Sequence, residues 1–273
     1  MKRLIINADD FGLSPAVTSG ILETHAAGAV TSSSMMVQCA GWEHGVQQAR
    51  ATPALGIGLH FNLLVGSPLT AAPSLTDRTS GCFPSLVALV SRALAGVLDR
   101  DEVVAECEAQ LSAVRDAGIP VTHIDSHRHV HAVPYVRRAI AAVAARYGLP
   151  LRRPVESARW FPADIGSRAH RALVAWSWRL SSPGAQATRA ADHFVGISLQ
   201  GGTRFAERLT ALLDALPDGT TELMVHPGRV DDALRAADGY TAPREIELAA
   251  LTSPAVIARL RRGDFTCIGF RDL

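Results

Sequence analysis

Short β-branched runs alternate along this chain with longer, alanine-rich stretches whose apolar residues recur at the helical period. Strands are predicted over Arg3–Ala8, Thr31–Val37, Gly56–Phe61, Val121–Ser126 and Glu222–Val225, with a final one over Thr266–Gly269. Helices are predicted over Ala16–Ala27, Trp42–Arg50 and Tyr135–Tyr147, and further helical segments fill the chain from Pro84 to Ala117. A loop rich in Gly, Pro, Ser and Thr runs from Gly66 to Pro84. This strand–helix repetition predicts an α/β fold: a parallel sheet with crossover helices, open or closed into a barrel. A chain of 273 residues is the size of one such domain, and no linker or repeat divides it. The stretch Trp160–Thr188 holds three of the four tryptophans and little strand signal. It reads as an inserted helical excursion near the barrel mouth, serving as a lid or as a homodimer contact.

Composition narrows the class of partner. Net charge is +1, and no basic or aromatic-interleaved stretch appears, which argues against nucleic acid. Lys2 is the sole lysine, so arginine carries nearly all the positive charge. The chain enters an apolar strand directly after Lys2 and Arg3, without the features of a secretory signal. The most apolar helical stretch, Leu86–Leu98, is short and contains Arg92, so no membrane span is expected. Cys39, Cys82, Cys107 and Cys267 are far apart and form no CxxC pair, as expected of reduced thiols in a cytoplasmic protein.

Ionisable residues stand at the ends of four apolar runs: LIINADDFG, IGLHFNL, VTHIDSHRHVH and ELMVHPG. In α/β sheets and barrels, ligands and catalytic groups gather beyond the carboxyl ends of the strands. That rule brings Asp9, Asp10, His60, His127 and His226 together from across the chain. The third run is the densest, with His123, His127, His129 and His131 of equal parity and therefore on one face if the segment is extended. Asp9 and Asp10 are neighbours leaving a strand, so they point in different directions and are expected to do different jobs. Gly12 suits the tight turn that follows. Two imidazoles and one carboxylate leave open positions on a divalent ion, as a catalytic metal site requires. An Asp base and a His acid on either side of a polarised carbonyl would complete a site for amide hydrolysis. His/His/Asp donors favour zinc, whereas magnesium prefers more oxygen ligands.

NADDFGLS, GLHFNL, HIDSHRHVH and MVHPG, in this order, resemble the YdjC-like carbohydrate deacetylases, and YTAPREIELAALTSPAVIARL is similar to the family's C-terminal pattern. The resemblance spans Leu4 to Phe270 and is weakest from Trp160 to Arg189. It implies a distorted (β/α) TIM-like barrel that removes acetyl groups from N-acetylated sugars with one divalent metal ion, magnesium by the family's habit. By the same resemblance Asp10, His60 and His127 match metal ligands, Asp9 the catalytic base and His226 the proton donor. Arg152 matches an arginine near the site that orients Asp9. Arg153 follows it where the family has an apolar residue, leaving open which arginine faces the pocket. His129, Asp125 and His131 would line the pocket or orient the ligands.

Two other readings compete. HxH pairs and strand-end carboxylates also build phosphoesterase sites, but those hold two or more ions with more acidic ligands, and none of the ten glutamates lies within the four motif cores quoted for the resemblance. A non-catalytic sugar-binding protein on the same fold is the other. Sequence does not name the sugar: chito-oligosaccharides, N-acetylglucosaminyl lipids and N-acetylated natural-product intermediates all fit.

Overall fold

The computed structural model describes residues 1–157, 165–180 and 188–273. Its first half runs β1 (Lys2–Phe11), α1 (Pro15–Ala26), β2 (Ser32–Met35), α2 (Trp42–Ala51), β3 (Gly56–Phe61), α3 (Leu86–Leu94), α4 (Arg100–Asp116), β4 (Val121–Ser126) and α5 (Val136–Arg146). The second half runs α6 (Ile165–Leu180), β5 (His193–Val195), α7 (Phe205–Asp214), β6 (Gly219–Val225), α8 (Asp232–Ala237), α9 (Ala242–Leu251), α10 (Pro254–Leu260) and β7 (Thr266–Cys267).

The strands pair in parallel in the order β4-β3-β2-β1-β6-β5. Bridges Ile124–Leu151 and Glu156–Phe194 carry the extended segment 151–156 across the gap between the two edges, giving a distorted (β/α) barrel. Short β7 pairs with β1 at Arg3 and Leu4, before β2 begins to pair at Asn7. β1 sits at the centre, and Leu4, Ile5, Ile6 and Ala8 are all fully buried. Burial on both faces is why this strand reads as a continuous apolar run rather than an alternating one.

The strands and helices of the first half match the predicted ones closely, with β1 running three residues further to include both aspartates. Sequence reading missed β5 and the helices α7 to α10. β5 is three residues long, too short for a period to show, and α8 and α10 are barely two turns. α6 lies within the predicted excursion; the parts of that expectation at 160–164 and 181–187 lie outside the described residues.

The shared face expected for the four histidines does not form. β4 ends at Ser126, and His127–Ala132 turns as a 3-10 segment with Arg128 and His129 in the left-handed region. Parity therefore ends where the strand does. His123, still on β4, stacks on Phe270 with ring centroids 3.8 Å apart, and burial pushes its pKa down to about 3, leaving a neutral core side chain. Gly58 on the neighbouring strand makes room for it: a Cβ there would lie 2.3 Å from the His123 ring. Gly58→Ala should lower stability by about 1–3 kcal/mol, measured by denaturant unfolding.

Candidate active site

Every motif residue expected at the site leaves the carboxyl end of a strand or the segment beside it. Asp9 and Asp10 end β1, His60 lies near the end of β3, His127 follows β4 and His226 follows β6. Around Asp10 the register of β1 against β2 shifts between Ala8 and Phe11, and Asp10 takes a positive φ of 71°. That break turns the two neighbouring carboxylates apart. Gly12, at φ 82°, completes the turn, with the Leu13 amide donating to the Asp10 carbonyl at 3.0 Å. Left-handed backbone costs an ordinary residue about 1–2 kcal/mol, and Asp10, Arg128 and His129 adopt it here, around the same cleft.

Asp10 is the meeting point of the two histidines. Its Oδ1 lies 3.1 Å from His60 Nε2 and 2.9 Å from His127 Nδ1, while its Oδ2 accepts from Arg244 Nη2 at 2.6 Å. The opposite nitrogen of His60, Nδ1, is held by Asp125 Oδ1 at 2.7 Å and Ser34 Oγ at 3.0 Å. Burial alone would lower the His60 pKa, but Asp125 and the hydrogen bonds to both carboxylates raise it to about 10. Asp10 stays ionised despite burial, because Arg244 and His127 favour its charged form.

Asp9 points to the other side. Arg152 grips it in a fork, Nη1 to Oδ2 at 2.6 Å and Nη2 to Oδ1 at 2.7 Å, and Asn7 Nδ2 adds a bond at 2.8 Å. His226 Nε2 stands 3.9 Å from Asp9 Oδ2. The His226 amide donates to Glu247 Oε2 at 2.6 Å, and its ring packs edge-on against Tyr240. Neither arginine is among the residues lining the cleft, and Arg152 is the one that holds Asp9. Arg152 is fully buried and also reaches Asp125 at 2.8 Å and Glu222 at 2.6 Å, whereas Arg153 turns away to the Asp192 and Ala191 carbonyls.

One guanidinium thus serves three buried carboxylates. Burial first, then the charges of Asp125 and Asp9, push the Glu222 carboxyl up to about 7, against the pull of Arg152. A carboxyl raised above its usual 4.5 stabilises the fold below that value and loses the contribution as pH rises through 7. Glu222→Gln keeps an acceptor for Arg152 and carries no charge. It should therefore gain on the order of 3 kcal/mol over the parent between pH 5 and pH 8, read as the difference between two urea-unfolding series. Equal pH slopes for the two proteins would show that Glu222 stays ionised throughout.

The cleft over these groups has a volume of about 390 Å³ and is walled by Arg128, His129, His170, Gln200, Met224 and Tyr240 besides the motif residues. His129 therefore lines it, and stays neutral because burial holds its pKa well below the usual range. His131 does not reach the cleft wall: it bonds to Ser126 Oγ and packs against Trp178. Asp125 lies beneath the site as an orienting group. Arg244, Asp238, Asn7, Ser34, Glu222 and Glu247 were not singled out from sequence. Asn7 had a readable signal, as a polar residue within an apolar run, whereas Ser34 is one of three serines in β2. Arg244 had only its place in the C-terminal pattern.

A family model described as YdjC-like protein matches residues 3–262. The chain belongs to the YdjC-like family. Among its relatives, a carbohydrate deacetylase of Geobacillus stearothermophilus is 35% identical over 272 residues, covering 99% of this chain and 98% of that protein. A chitooligosaccharide deacetylase of Yersinia enterocolitica is 37% identical over 257 residues, covering 93% and 92%. Among solved structures, an Enterococcus faecalis protein described as a cellobiose-phosphate cleavage protein superposes with a TM-score of 0.79 at 29% identity, over 99% of this chain and 98% of that one. These relatives match over nearly the whole chain.

Proposed function

We propose that this YdjC-like protein is a metal-dependent carbohydrate N-deacetylase, releasing acetate and an amino sugar from an N-acetylated sugar. Full-length deacetylase relatives at about 35% identity support the reaction class. Support for a single bound ion comes from where the arginines stand. Two sets of residues bring ligand atoms within 4.8 Å of one another: Asp10, His60 and His127, and Asp9, His60 and Asp125. In the second set both carboxylates are already clasped by Arg152, a fixed positive charge where a cation would have to go. In the first set Arg244 takes Asp10 Oδ2 alone, and Oδ1 faces both imidazoles. The donors fit: two buried ring nitrogens and a carboxylate oxygen converge, and Asp125 orients one ring from behind, as metal-binding histidines require. Asp10, His60 and His127 would hold one divalent ion, which when bound polarises the acetamide carbonyl and acidifies water.

The chain's own groups do the rest. Asp9 takes the proton of the water that attacks the acetyl carbon. Arg152 and Asn7 fix the carboxylate, with its Oδ2 the oxygen toward His226. His226, on the other side of that carboxylate, passes a proton to the departing amine. Tyr240 and Met224 wall the cleft beside it. A phosphoesterase built on two or three ions fits less well, because Arg152 holds the second set.

Release of acetate from N-acetylglucosamine oligomers, with metal content measured on the same sample, tests this reading. Chelation should abolish release, and one divalent ion per chain should restore it. Absence of acetate from a panel of soluble and lipid-linked acetylated sugars, under metal-replete conditions, would falsify the assignment.

A further inference from the structure

Ten large hydrophobic residues among those described are exposed, and six of them fall on two stretches of chain. Val87 and Leu94 lie on α3, with Val97 just beyond it, at 76%, 69% and 58% exposure. Leu173, Trp176 and Leu180 lie on α6, at 61%, 58% and 56%. Both helices reach the same opening, since Leu86 of α3 and His170 of α6 line the cleft. Single exposed apolar residues need no explanation, but three of them on one helix that reaches the cleft do.

α6 is already anchored by its opposite face. Val174 is buried, Ser177 Oγ donates to the Ala132 carbonyl at 2.6 Å, and the Arg137 guanidinium lies 3.5 Å over the Trp178 ring. Spacing of i, i+3 and i+7 puts Leu173, Trp176 and Leu180 together on the outward side. Neither helix contains an aspartate or glutamate. Arg168 and Arg179 flank the α6 stripe, are exposed, and make no ion pair among the described residues. A second copy of this helix would set arginine against arginine with no carboxylate to meet them. Negative charge over an apolar layer is the complement, and that is the make-up of an anionic bilayer surface.

We propose that the outward face of α6 docks this protein on anionic lipid bilayers. Trp176, Leu173 and Leu180 enter the boundary between headgroups and acyl chains, while Arg168 and Arg179 meet the headgroups. The attachment is peripheral, since no helix among the described residues is long and apolar enough to cross a membrane. Docking holds the cleft mouth at the bilayer, so an acetylated sugar carried on a lipid is the form of substrate this face suits; that consequence, unlike the docking, rests on the deacetylase reading.

Co-sedimentation of the full chain with vesicles tests the docking without any substrate. Phosphatidylglycerol-rich vesicles should bind the protein, added salt should weaken binding, and vesicles of phosphatidylcholine alone should bind it about tenfold less or worse. The double variant Leu173→Glu/Trp176→Glu should lose binding about tenfold or more. Its melting temperature and its turnover of a soluble acetylated oligomer should match the parent's, because neither side chain touches the cleft. Equal binding to the two kinds of vesicle, or a double variant that binds like the parent, overturns the proposal. So does light scattering that finds a dimer broken by the double variant, which would give this face to a second copy.

Discussion

Asp9→Asn will keep its metal and its fold while losing roughly 10²–10⁴-fold in turnover, the range a positioned general base supplies. The substitution is nearly isosteric, and Asn can still accept from Arg152 through its carbonyl oxygen. What it cannot do is take a proton. Asp10, His60 and His127 are untouched, so metal content should equal the parent's. His60→Ala gives the contrast: it removes a ring held between Asp10 and Asp125, and metal should be lost along with activity. Turnover and metal content measured on the two variants separate the roles. Near-parental activity in metal-replete Asp9→Asn would move the base elsewhere, and His226 would be the next group to substitute.

Arg152→Met will cost about 3–5 kcal/mol of stability at neutral pH. Against a typical total of about 5–15 kcal/mol, that is a large share. The reason is the arrangement around the guanidinium, which is fully buried and bonded to Asp9, Asp125 and Glu222, themselves almost fully buried. Methionine fills much of the volume but leaves three carboxylates without a countercharge. Protonating them relieves the strain, so the deficit should shrink as pH falls from 8 toward 5, and unfolding at both values reads this directly. Arg152→Lys should recover only part of the loss, since one ammonium cannot reach three carboxylates as the planar fork does. A Met variant within about 1 kcal/mol of the parent at pH 8 would mean that water reaches these carboxylates.

The first half of the barrel was readable because its strands are four to ten residues long, alternate with helical segments and are bounded by turn residues. β5 was not, because three residues carry no period. Among the site residues, Asp9, Asp10, His60, His127 and His226 stood out as ionisable groups interrupting apolar strand ends, a local conflict that sequence displays openly. Their supporting residues carried no such mark. Arg244 lies on α9 in an ordinary amphipathic pattern, yet its guanidinium bonds Asp10 from 234 positions away. Glu222 is a charged residue inside a short strand, read only as part of its motif, and its purpose shows when Arg152 is seen beside it.

Local pattern by itself determined the strand–helix alternation of the first half, the parallel sheet and the set of strand ends where chemistry gathers, because hydrophobic period and turn residues act within a few positions. Tertiary structure decided how the adjacent aspartates divide. Asp10 faces the two imidazoles and Asp9 faces Arg152 because β1 breaks register between them, a consequence of pairing with β2 that neither residue encodes. It also decided that the histidine run gives one ring to the Asp10 cluster, one to the cleft wall and two to the core, since the strand ends at Ser126. Charge balance around a buried group depends on which distant side chains arrive at it, and packing alone brings them there.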